Sequence, residues 1–228
     1  MAQSEVSALV EEYLEAIYRL QKKYSVANTG DLVRQLHVAP GTVTNTIERL
    51  ERQQLVKHIP YRGVKLTAKG RRLALKLLRR HRLAERLLTE MLNINWHKAH
   101  AYACKLEHCL PDELVNHIEE TLEHPESCPH GHPIPSGTGH VTEETAKPLL
   151  ETSVGESVEV VKVEEESEDR LRYFEGLGIL PGVVLKIEEK APFDGPITVN
   201  IDGATCAVGR PLAATIHVRS LQHAVSKR

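Results

Sequence analysis

The sequence contains no stretch of 18 uncharged apolar residues, which excludes a membrane-spanning helix of ordinary length. Its first residues, Met-Ala-Gln-Ser-Glu, lack the basic and apolar regions of a signal peptide. Its four cysteines, at 104, 109, 128 and 206, show none of the close pairing typical of a disulfide framework. These absences predict a soluble cytoplasmic protein with no membrane partner, whose reduced cysteines pack or bind ligands.

Acidic and basic side chains are strongly segregated along the 228 residues, although the formal net charge is only -2. Residues 49–86 contain thirteen Lys and Arg against two acids, whereas residues 107–171 contain seventeen acids against three Lys and Arg. A polyanion would be attracted to the first segment and repelled by the second. The length and the 41% hydrophobic content allow two domains with ordinary cores.

The first fifty residues show the pattern of a helix-turn-helix. Apolar residues at helical spacing predict a core-packing helix over residues 5–23. Thr29-Gly-Asp31 is predicted to cap a short helix that ends near Leu36, and Pro40 starts a third helix that runs to about Gln53. Helix, tight turn and helix in this order place the last helix in a DNA major groove.

The outer face of the third helix and a basic hairpin after it carry the side chains expected to contact DNA. Two short strands, over residues 55–59 and 63–66, form this hairpin, the wing. Short hydroxyl and amide side chains suit base edges or phosphates, and basic side chains suit phosphates. The predicted contacts are Thr42, Thr44, Asn45, Arg49, Arg52, Lys57, Arg62 and Lys65, and Glu48 lies on the same outer face. A protein-binding module with basic helices is the alternative.

Donor residues for a metal ion recur at helical spacing further along the chain. They are His81 and Glu85 in one predicted helix, and His100, Cys104, Glu107 and His108 in the next. If residues 100–108 form a single helix, their four donors fall within an arc of roughly 100°. A lone His or Glu on a helix is more often a solvated side chain, so the number of donors carries the prediction of a metal site.

Three further donors, Cys128, His130 and His132, lie in a segment rich in Pro and Gly. Their alternation offers zinc-type ligands, but the residues are too close together for ordinary two-knuckle spacing. The Pro and Gly content favours a tight structural loop, which is the preferred interpretation over a metal site.

The last third of the chain predicts short strands after a segment rich in Ser, Gly, Thr, Pro and Glu. Alternating apolar residues indicate strands over 156–163, 183–187, 197–201 and 214–218, and residues 171–177 form one or two helical turns. A small β-barrel accounts for this pattern.

Nearly the whole chain resembles the diphtheria toxin repressor family, through motifs that are specific in combination. They are the winged helix, Leu66-Thr-Ala-Lys-Gly70, His81-Arg-Leu-Ala-Glu85, Cys104-Lys-Leu-Glu107-His108 and Cys128-Pro-His-Gly-His-Pro-Ile-Pro135. The resemblance implies a mainly α N-terminal two-thirds, with a winged helix-turn-helix and a helical dimerisation domain, before a C-terminal all-β SH3-like barrel. The expected boundaries are 1–72, 73–135 and 152–228, with a linker over 136–151.

The resemblance also implies a metal-dependent repressor of metal-homeostasis genes, with two neighbouring metal sites and a homodimer on palindromic operator DNA. The primary, activating site comprises Glu12, Cys104, Glu107 and His108. The ancillary site comprises His81, Glu85 and His100. Glu15, Glu164 and Glu165 are further candidate ligands, although Lys162 takes one of the ligand positions expected in the C-terminal domain.

The expected metal is Fe(II) or Mn(II). Glu12 stands where iron-sensing members of the family often have Met and manganese-sensing members Asp, and Glu15 follows as in the manganese type. Cys104 resembles the iron type, and for that reason we place iron first. Co(II), Ni(II) and Zn(II) are expected to bind in vitro, because the affinity of such donors depends on the chemistry of the ion and not on which ion the cell supplies.

The ion is expected to join the DNA-reading half to the dimerising half of the chain. Apolar residues at Leu87, Leu88, Trp96 and Leu110 are candidates for a two-fold interface. A metalloenzyme is one alternative, since such donors can activate water, but no His-Glu-x-x-His or nucleophile motif accompanies them. A metal-independent DNA-binding module is the other. No small-molecule substrate is expected.

Overall fold

The computed structural model describes residues 7–221, which form two compact units. The first unit runs to Arg80 and also includes residues 107–109 and 135–140, and the second contains the remaining segments. Residues 1–6, which include the segment used above to exclude a signal peptide and the start of the first predicted helix, lie outside the described residues, as do residues 222–228.

The first unit contains a winged helix whose elements follow the predicted order. They are α1 (Ala8–Tyr24), α2 (Thr29–Leu36), α3 (Pro40–Arg52), β1 (Val56–Ile59) and β2 (Gly63–Leu66). Tyr13, Leu14 and Ile17 are buried on one face of α1, at the spacing that predicted the helix. Pro40 lies in the first turn of α3, where its missing N–H costs no helical hydrogen bond. The predicted helices and wing are confirmed.

The cap of α2 differs from the prediction. The N-cap residue is Asn28, whose side-chain oxygen accepts a hydrogen bond from the Asp31 N–H at 2.8 Å. Asn28 has extended backbone angles, so Thr29 is already the first helical residue and Asp31 is a bonded partner of the cap.

The wing is held against the helices by two backbone contacts. β1 and β2 pair in antiparallel register from Val56 opposite Leu66 to Ile59 opposite Gly63. The backbone of Gly63 has φ +125°, and a Cβ there would lie 2.1 Å from the Ala27 carbonyl oxygen. Ala27 and Val64 exchange backbone hydrogen bonds of 3.1 and 2.8 Å. The wing therefore has a fixed position relative to the loop before α2.

Three helices precede the C-terminal sheet. They are α4 (Ala68–Arg86), which crosses the boundary between the units, α5 (Trp96–Leu106) and α6 (Asp112–Thr121), with a π-helical turn at Leu87–Met91. In the second unit, Leu83 packs with Val115 and Ile118 on α6.

The residues predicted to form a dimer interface pack inside the chain's own second unit. Leu88 is buried beside Ala84 and Ala103, Leu87 and Leu110 pack on these helical clusters, and Trp96 packs on the core of the C-terminal sheet. Only Leu88 is fully covered in this way, whereas Leu87, Trp96 and Leu110 are half-buried, so the interface stays a prediction.

α5 ends earlier than predicted. It stops at Leu106, and residues Glu107–Cys109 form a 3-10 turn. Leu110 is extended, as expected for the residue before Pro111, whose ring disfavours a helical conformation there. The spacing of residues 100–108 predicted four donors on one α-helix, and this prediction is wrong. Two of the donors lie on α5 and two lie on the 3-10 turn.

The C-terminal region is one antiparallel sheet of six strands in the order β3-β8-β4-β5-β6-β7. The strands are β3 (Lys147–Pro148), β4 (Ser157–Val163), β5 (Val184–Lys190), β6 (Ile197–Ile201), β7 (Ala204–Val208) and β8 (Ile216–Ser220). The helices are α7 (Glu168–Leu177) and the short α8 (Arg210–Ala213). The core of this C-terminal region contains Phe174, Leu185, Ile197 and Val218, all fully buried.

The predicted closed barrel is an open sheet. Among residues 7–221 no ladder joins β3 to β7, because β3 has two residues that pair with β8 and β7 pairs along its length with β6. Leu149, inside the predicted linker, is buried in the sheet's core. Over the same described range, no helix is long and apolar enough to cross a membrane.

Candidate metal centre and DNA-binding surface

Glu85 is the centre of a buried cluster of donors in the second unit. It lies one turn after His81 on α4, and its Oε1 atom is 3.0 Å from His81 Nε2 and 3.3 Å from His100 Nδ1 on α5. The same oxygen is 3.2 Å from His130 Nδ1. Since only 2% of Glu85 is exposed, three imidazoles replace the water that a carboxylate normally requires.

The electrostatics of Glu85 favour its ionised form. Burial alone would raise its pKa, but the charge of His81 and hydrogen bonds from His100, His130 and His81 lower the pKa well below its ordinary value. The cluster therefore presents a carboxylate anion to its neighbours, as a metal ligand must.

His81, His100 and Cys104 form one group in which the donor atoms lie within 4.8 Å of one another. The Cys104 Sγ atom is 3.6 Å from His100 Nε2, one turn earlier on α5. Burial raises the pKa of Cys104, but hydrogen bonds from His100 and His81 and the charges of both outweigh it and lower the pKa to about 7. A thiolate is thus available near neutral pH.

The segment predicted to be only a structural loop supplies two more donors. Glu85, Cys128 and His130 form a second group with donor atoms within 4.8 Å of one another, and all three residues are buried. Burial, followed by the charge of Glu85, raises the pKa of the Cys128 thiol. The loop is also tight, since the Gly131 N–H donates to the Cys128 carbonyl at 2.9 Å. The sequence shows the donors but not their approach to Glu85.

Neighbouring backbone holds this loop in place. The Trp96 Nε1–H donates to the Pro129 carbonyl at 2.8 Å, and the Val163 N–H on β4 donates to the His130 carbonyl at 3.0 Å. At Gly131, where φ is +85°, a Cβ would lie 2.0 Å from the Val161 carbonyl oxygen. Cys128 and His130 therefore reach Glu85 because the loop docks on β4.

In the first unit, carboxylates surround His108 on the 3-10 turn. Its Nδ1 atom is 2.8 Å from Glu11 Oε2, and its Nε2 atom is 3.4 Å from Glu107 Oε1 and 4.0 Å from Glu12 Oε1. Glu11 also pairs with Arg80 at 3.3 Å. The sequence singled out Glu12 and missed Glu11, its neighbour on α1, which lies in the first turn of that helix.

The predicted primary set is divided between the two units. Glu12, Glu107 and His108 belong to the first, whereas Cys104 belongs to the second, where it joins His81 and His100. Glu15 forms an ion pair of 2.7 Å with Arg19 one turn away.

The predicted C-terminal ligands form other ion pairs. Glu164 lies 2.7 Å from Lys162 and 3.3 Å from His217, and hydrogen bonding by His217 lowers the pKa of Glu164 despite its burial. Glu165 pairs with Arg170 at 2.9 Å. Their neighbour Glu166, which the sequence did not single out, is the acid whose Oε2 atom lies 3.9 Å from His100 Nε2.

His97, which lies on α5 before His100, has a separate partner. It is buried, and its Nδ1 atom is 2.5 Å from Glu175 Oε2 on α7. This ion pair joins α5 to α7 within the second unit.

The residues predicted to contact DNA lie together on the exposed side of the winged helix. Thr42, Thr44, Asn45, Arg49 and Arg52 are exposed on α3, Lys57 and Arg62 are exposed on the wing, and Lys65 is half-buried. Glu51 fixes α3 to the wing, because its Oε1 atom accepts a hydrogen bond from the His58 N–H at 2.8 Å.

A winged helix in a chain that also clusters imidazole, carboxylate and thiolate donors defines a class: a DNA-binding protein equipped to hold metal ions. Comparison with known families agrees. The iron dependent repressor N-terminal DNA binding domain matches residues 5–64, its metal binding and dimerisation domain matches residues 67–136, and the FeoA domain matches residues 147–220. The chain belongs to the iron-dependent repressor family, that of the diphtheria toxin repressor, whose members are metal-dependent transcriptional repressors and not enzymes.

Individual proteins are similar over most of their length. The diphtheria toxin repressor of Corynebacterium glutamicum is 30% identical over 223 residues, which cover 93% of this chain and 96% of that protein. A manganese-dependent transcriptional repressor in complex with manganese is 35% identical, with a TM-score of 0.87 over 93% of this chain and all of that one. The IdeR of T. acidophilum is 27% identical, with a TM-score of 0.77 over 96% of this chain and all of that one.

Proposed function

We propose that this repressor is cytoplasmic, responds to Fe(II) or Mn(II) with a preference for iron, and controls genes of metal homeostasis. The observation that carries the proposal is Glu85, a buried carboxylate kept ionised by three imidazoles. Buried charge is costly unless it is paired, and a cluster of this composition is typical of a metal site. The iron preference rests on Cys104, whose soft thiolate suits Fe(II) better than Mn(II).

The donor sets fit a divalent transition ion. His81, His100 and Cys104 offer nitrogen and sulfur; in the second group Glu85 adds a carboxylate oxygen, His130 a nitrogen and Cys128 a sulfur. Co(II), Ni(II) and Zn(II) suit such donors in vitro as well. Around His108, three carboxylates offer oxygen, which suits Mn(II). A bound cation would supply the positive charge that these carboxylates otherwise share among histidines.

Within the second unit, the donors join three separate segments of the chain. His81 and Glu85 come from α4, His100 and Cys104 from α5, and His130 from the loop on β4. Drawing these side chains together restrains α4 against α5. Because α4 begins after the wing, its orientation is the property that we propose to link the donors to DNA binding.

The proposed dimer surface lies on the helices of the dimerisation domain. Large apolar side chains there are exposed to solvent, and a partner subunit would remove them from water. They are Met91, Leu92, Tyr102, Leu106 and Leu114. A two-fold dimer would present two α3 helices to the half-sites of a palindromic operator.

The test measures operator binding by anisotropy of a labelled fragment of the protein's own promoter, under anaerobic conditions. We expect Fe(II) or Mn(II) to tighten binding by about 100-fold relative to chelator, a coupling of ordinary size for allosteric proteins. The Glu85→Gln variant should lose this metal response, since the amide carries no charge. Glu123→Gln, an exposed position outside the donor groups, is the control. Equal binding by wild type in metal and in chelator would contradict the proposal.

A further inference from the structure

Glu48 occupies the outward face of α3. The buried side of this helix is given by Val43, Thr46, Ile47 and Leu50. With about 100° between successive residues, the opposite direction falls among Gly41, Asn45, Glu48 and Arg52. Glu48 lies within roughly 30° of that direction. Its side chain therefore faces the DNA that α3 is proposed to bind.

The two acids near the end of α3 have different surroundings. Glu51 accepts a hydrogen bond from the wing and has a structural role. Within residues 7–221, no side-chain hydrogen bond or ion pair of the Glu48 carboxylate is found; the Arg52 Nε–H donates to the backbone carbonyl of Glu48, at 3.4 Å, and not to its side chain. The carboxylate is thus free to bind a ligand.

An unpaired carboxylate opposes the charge of this surface. Residues 49–86 carry thirteen basic side chains that attract phosphates, and Glu48 adds a negative charge next to Arg49. This charge weakens binding to any DNA, unless a base compensates it with a hydrogen-bond donor.

The hydrogen-bonding groups that each base presents in the major groove decide which base suits the Glu48 carboxylate. A carboxylate only accepts hydrogen bonds. Guanine presents two acceptors and thymine an acceptor with a methyl group, so both repel it. Adenine pairs its amino donor with the N7 acceptor, whereas cytosine presents the N4 amino group with no neighbouring acceptor. Cytosine is therefore the best partner.

We propose that Glu48 is a specificity-determining residue, which accepts a hydrogen bond from cytosine N4 and selects a C·G pair in each operator half-site. The inference rests on the proposed placement of α3 in the major groove. Asn45, one turn away on the same face, suits an adenine. Glu48 thus lowers the affinity for DNA that lacks this C·G pair, and Arg49 and Arg52 bind the phosphate backbone of the DNA.

Selection from a random DNA library tests this role, using wild type, Glu48→Ala, Glu48→Gln and the charge control Glu123→Gln, all with Mn(II). Wild type should select one cytosine per half-site that Glu48→Ala no longer selects, with a loss of roughly 5- to 100-fold in discrimination at that position alone. Glu48→Gln should prefer adenine there, since a Gln amide can pair with both adenine N6 and N7. Glu123→Gln should select the wild-type sequence.

Two results would overturn the inference in different ways. If Glu48→Ala binds every sequence more tightly by one common factor and selects the wild-type motif, the carboxylate acts only as a charge. If wild type selects no motif with metal present, the proposed DNA-binding role of α3 is wrong, and the role of Glu48 with it. Equal thermal unfolding of the four proteins excludes a folding defect.

Discussion

At the scale of single residues, Cys104 carries the argument for iron. Its thiolate is the soft donor in a group otherwise made of imidazoles. Replacing it by Glu offers a hard oxygen instead, so the ratio of activating concentrations should shift toward Mn(II), by about 10-fold or more. The measurement is the operator-binding titration with each ion. Cys206→Ser removes a thiol beside the C-terminal core and should leave the ratio unchanged. No shift in Cys104→Glu would remove the ground for placing iron first.

Gly131 is the residue that allows the loop to dock on β4. Gly131→Ala would place a methyl group 2.0 Å from a backbone oxygen in a conformation with φ +85°, so we expect a loss of about 2 kcal/mol or more in the free energy of unfolding. The fraction of protein that retains bound metal in dialysis should fall as well. Urea unfolding measures the first effect.

Gly137 offers a matched control, since a Cβ there meets no atom within 4 Å. Gly137→Ala should unfold at the wild-type urea concentration and retain the wild-type amount of metal. If Gly131→Ala behaves in the same way, the docking of the loop does not position Cys128 and His130.

At the scale of elements, Glu156 ties the two-residue strand β3 to the rest of the sheet. Hydrogen bonds from Ser220, Lys147 and the Ser153 N–H lower the pKa of Glu156 to about 2, from an ordinary value of 4.5. Because the folded pKa is the lower one, the stabilisation is present above about pH 4.5 and is lost as the pH falls toward 2. Glu156→Gln should cost about 1 kcal/mol at pH 7 and much less at pH 2.5.

Unfolding of wild type and variant at both pH values checks this dependence. Glu151→Gln, at an exposed site between β3 and β4, is the control and should change neither value. An equal cost of Glu156→Gln at both pH values would mean that the ionised carboxylate is not the stabilising species.

Elements with a strong local signal could be predicted from the sequence, and those that depend on distant contacts could not. Pro40 and the apolar spacing around Val43 fix α3, and Gly63 permits the wing. The end of α5 at Leu106 could not be predicted, because residues 107–109 keep helical spacing and Pro111 directly disfavours a helical conformation only at Leu110. The approach of Cys128 and His130 to Glu85 depends on β4, which no local pattern shows.

At the scale of the whole molecule, the family and the order of domains followed from several motifs in combination, whereas the assembly surface did not. Leu88 is as apolar as Leu92 and Leu114, and only the structure shows that Leu88 is buried and that the other two are exposed. The sequence also predicted a closed barrel where the sheet is open. Closure depends on whether the edge strands β3 and β7 pair with each other, which no local pattern shows.

The exposed apolar residues predict the outcome of disrupting the dimer. Leu114→Glu would place a charge where a partner must exclude water, so the dimer dissociation constant should rise by at least about 10-fold. Sedimentation measures it across a dilution series. Val154, exposed by 59% in the C-terminal region, provides the control, and Val154→Glu should remain dimeric. A wild-type dissociation constant for Leu114→Glu would exclude this surface.

The hydrogen bond from Val163 to the carbonyl of His130 has a consequence for synthesis of the chain. Every donor of the Glu85 cluster emerges from the ribosome before β4 does, yet the loop with Cys128 and His130 gains its support only from β4. A product that terminates before β4 therefore carries Cys128 and His130 without the contact that positions them. Of the cluster, such a product has only the donors on α4 and α5 in place, so its metal site is smaller than that of the longer chain.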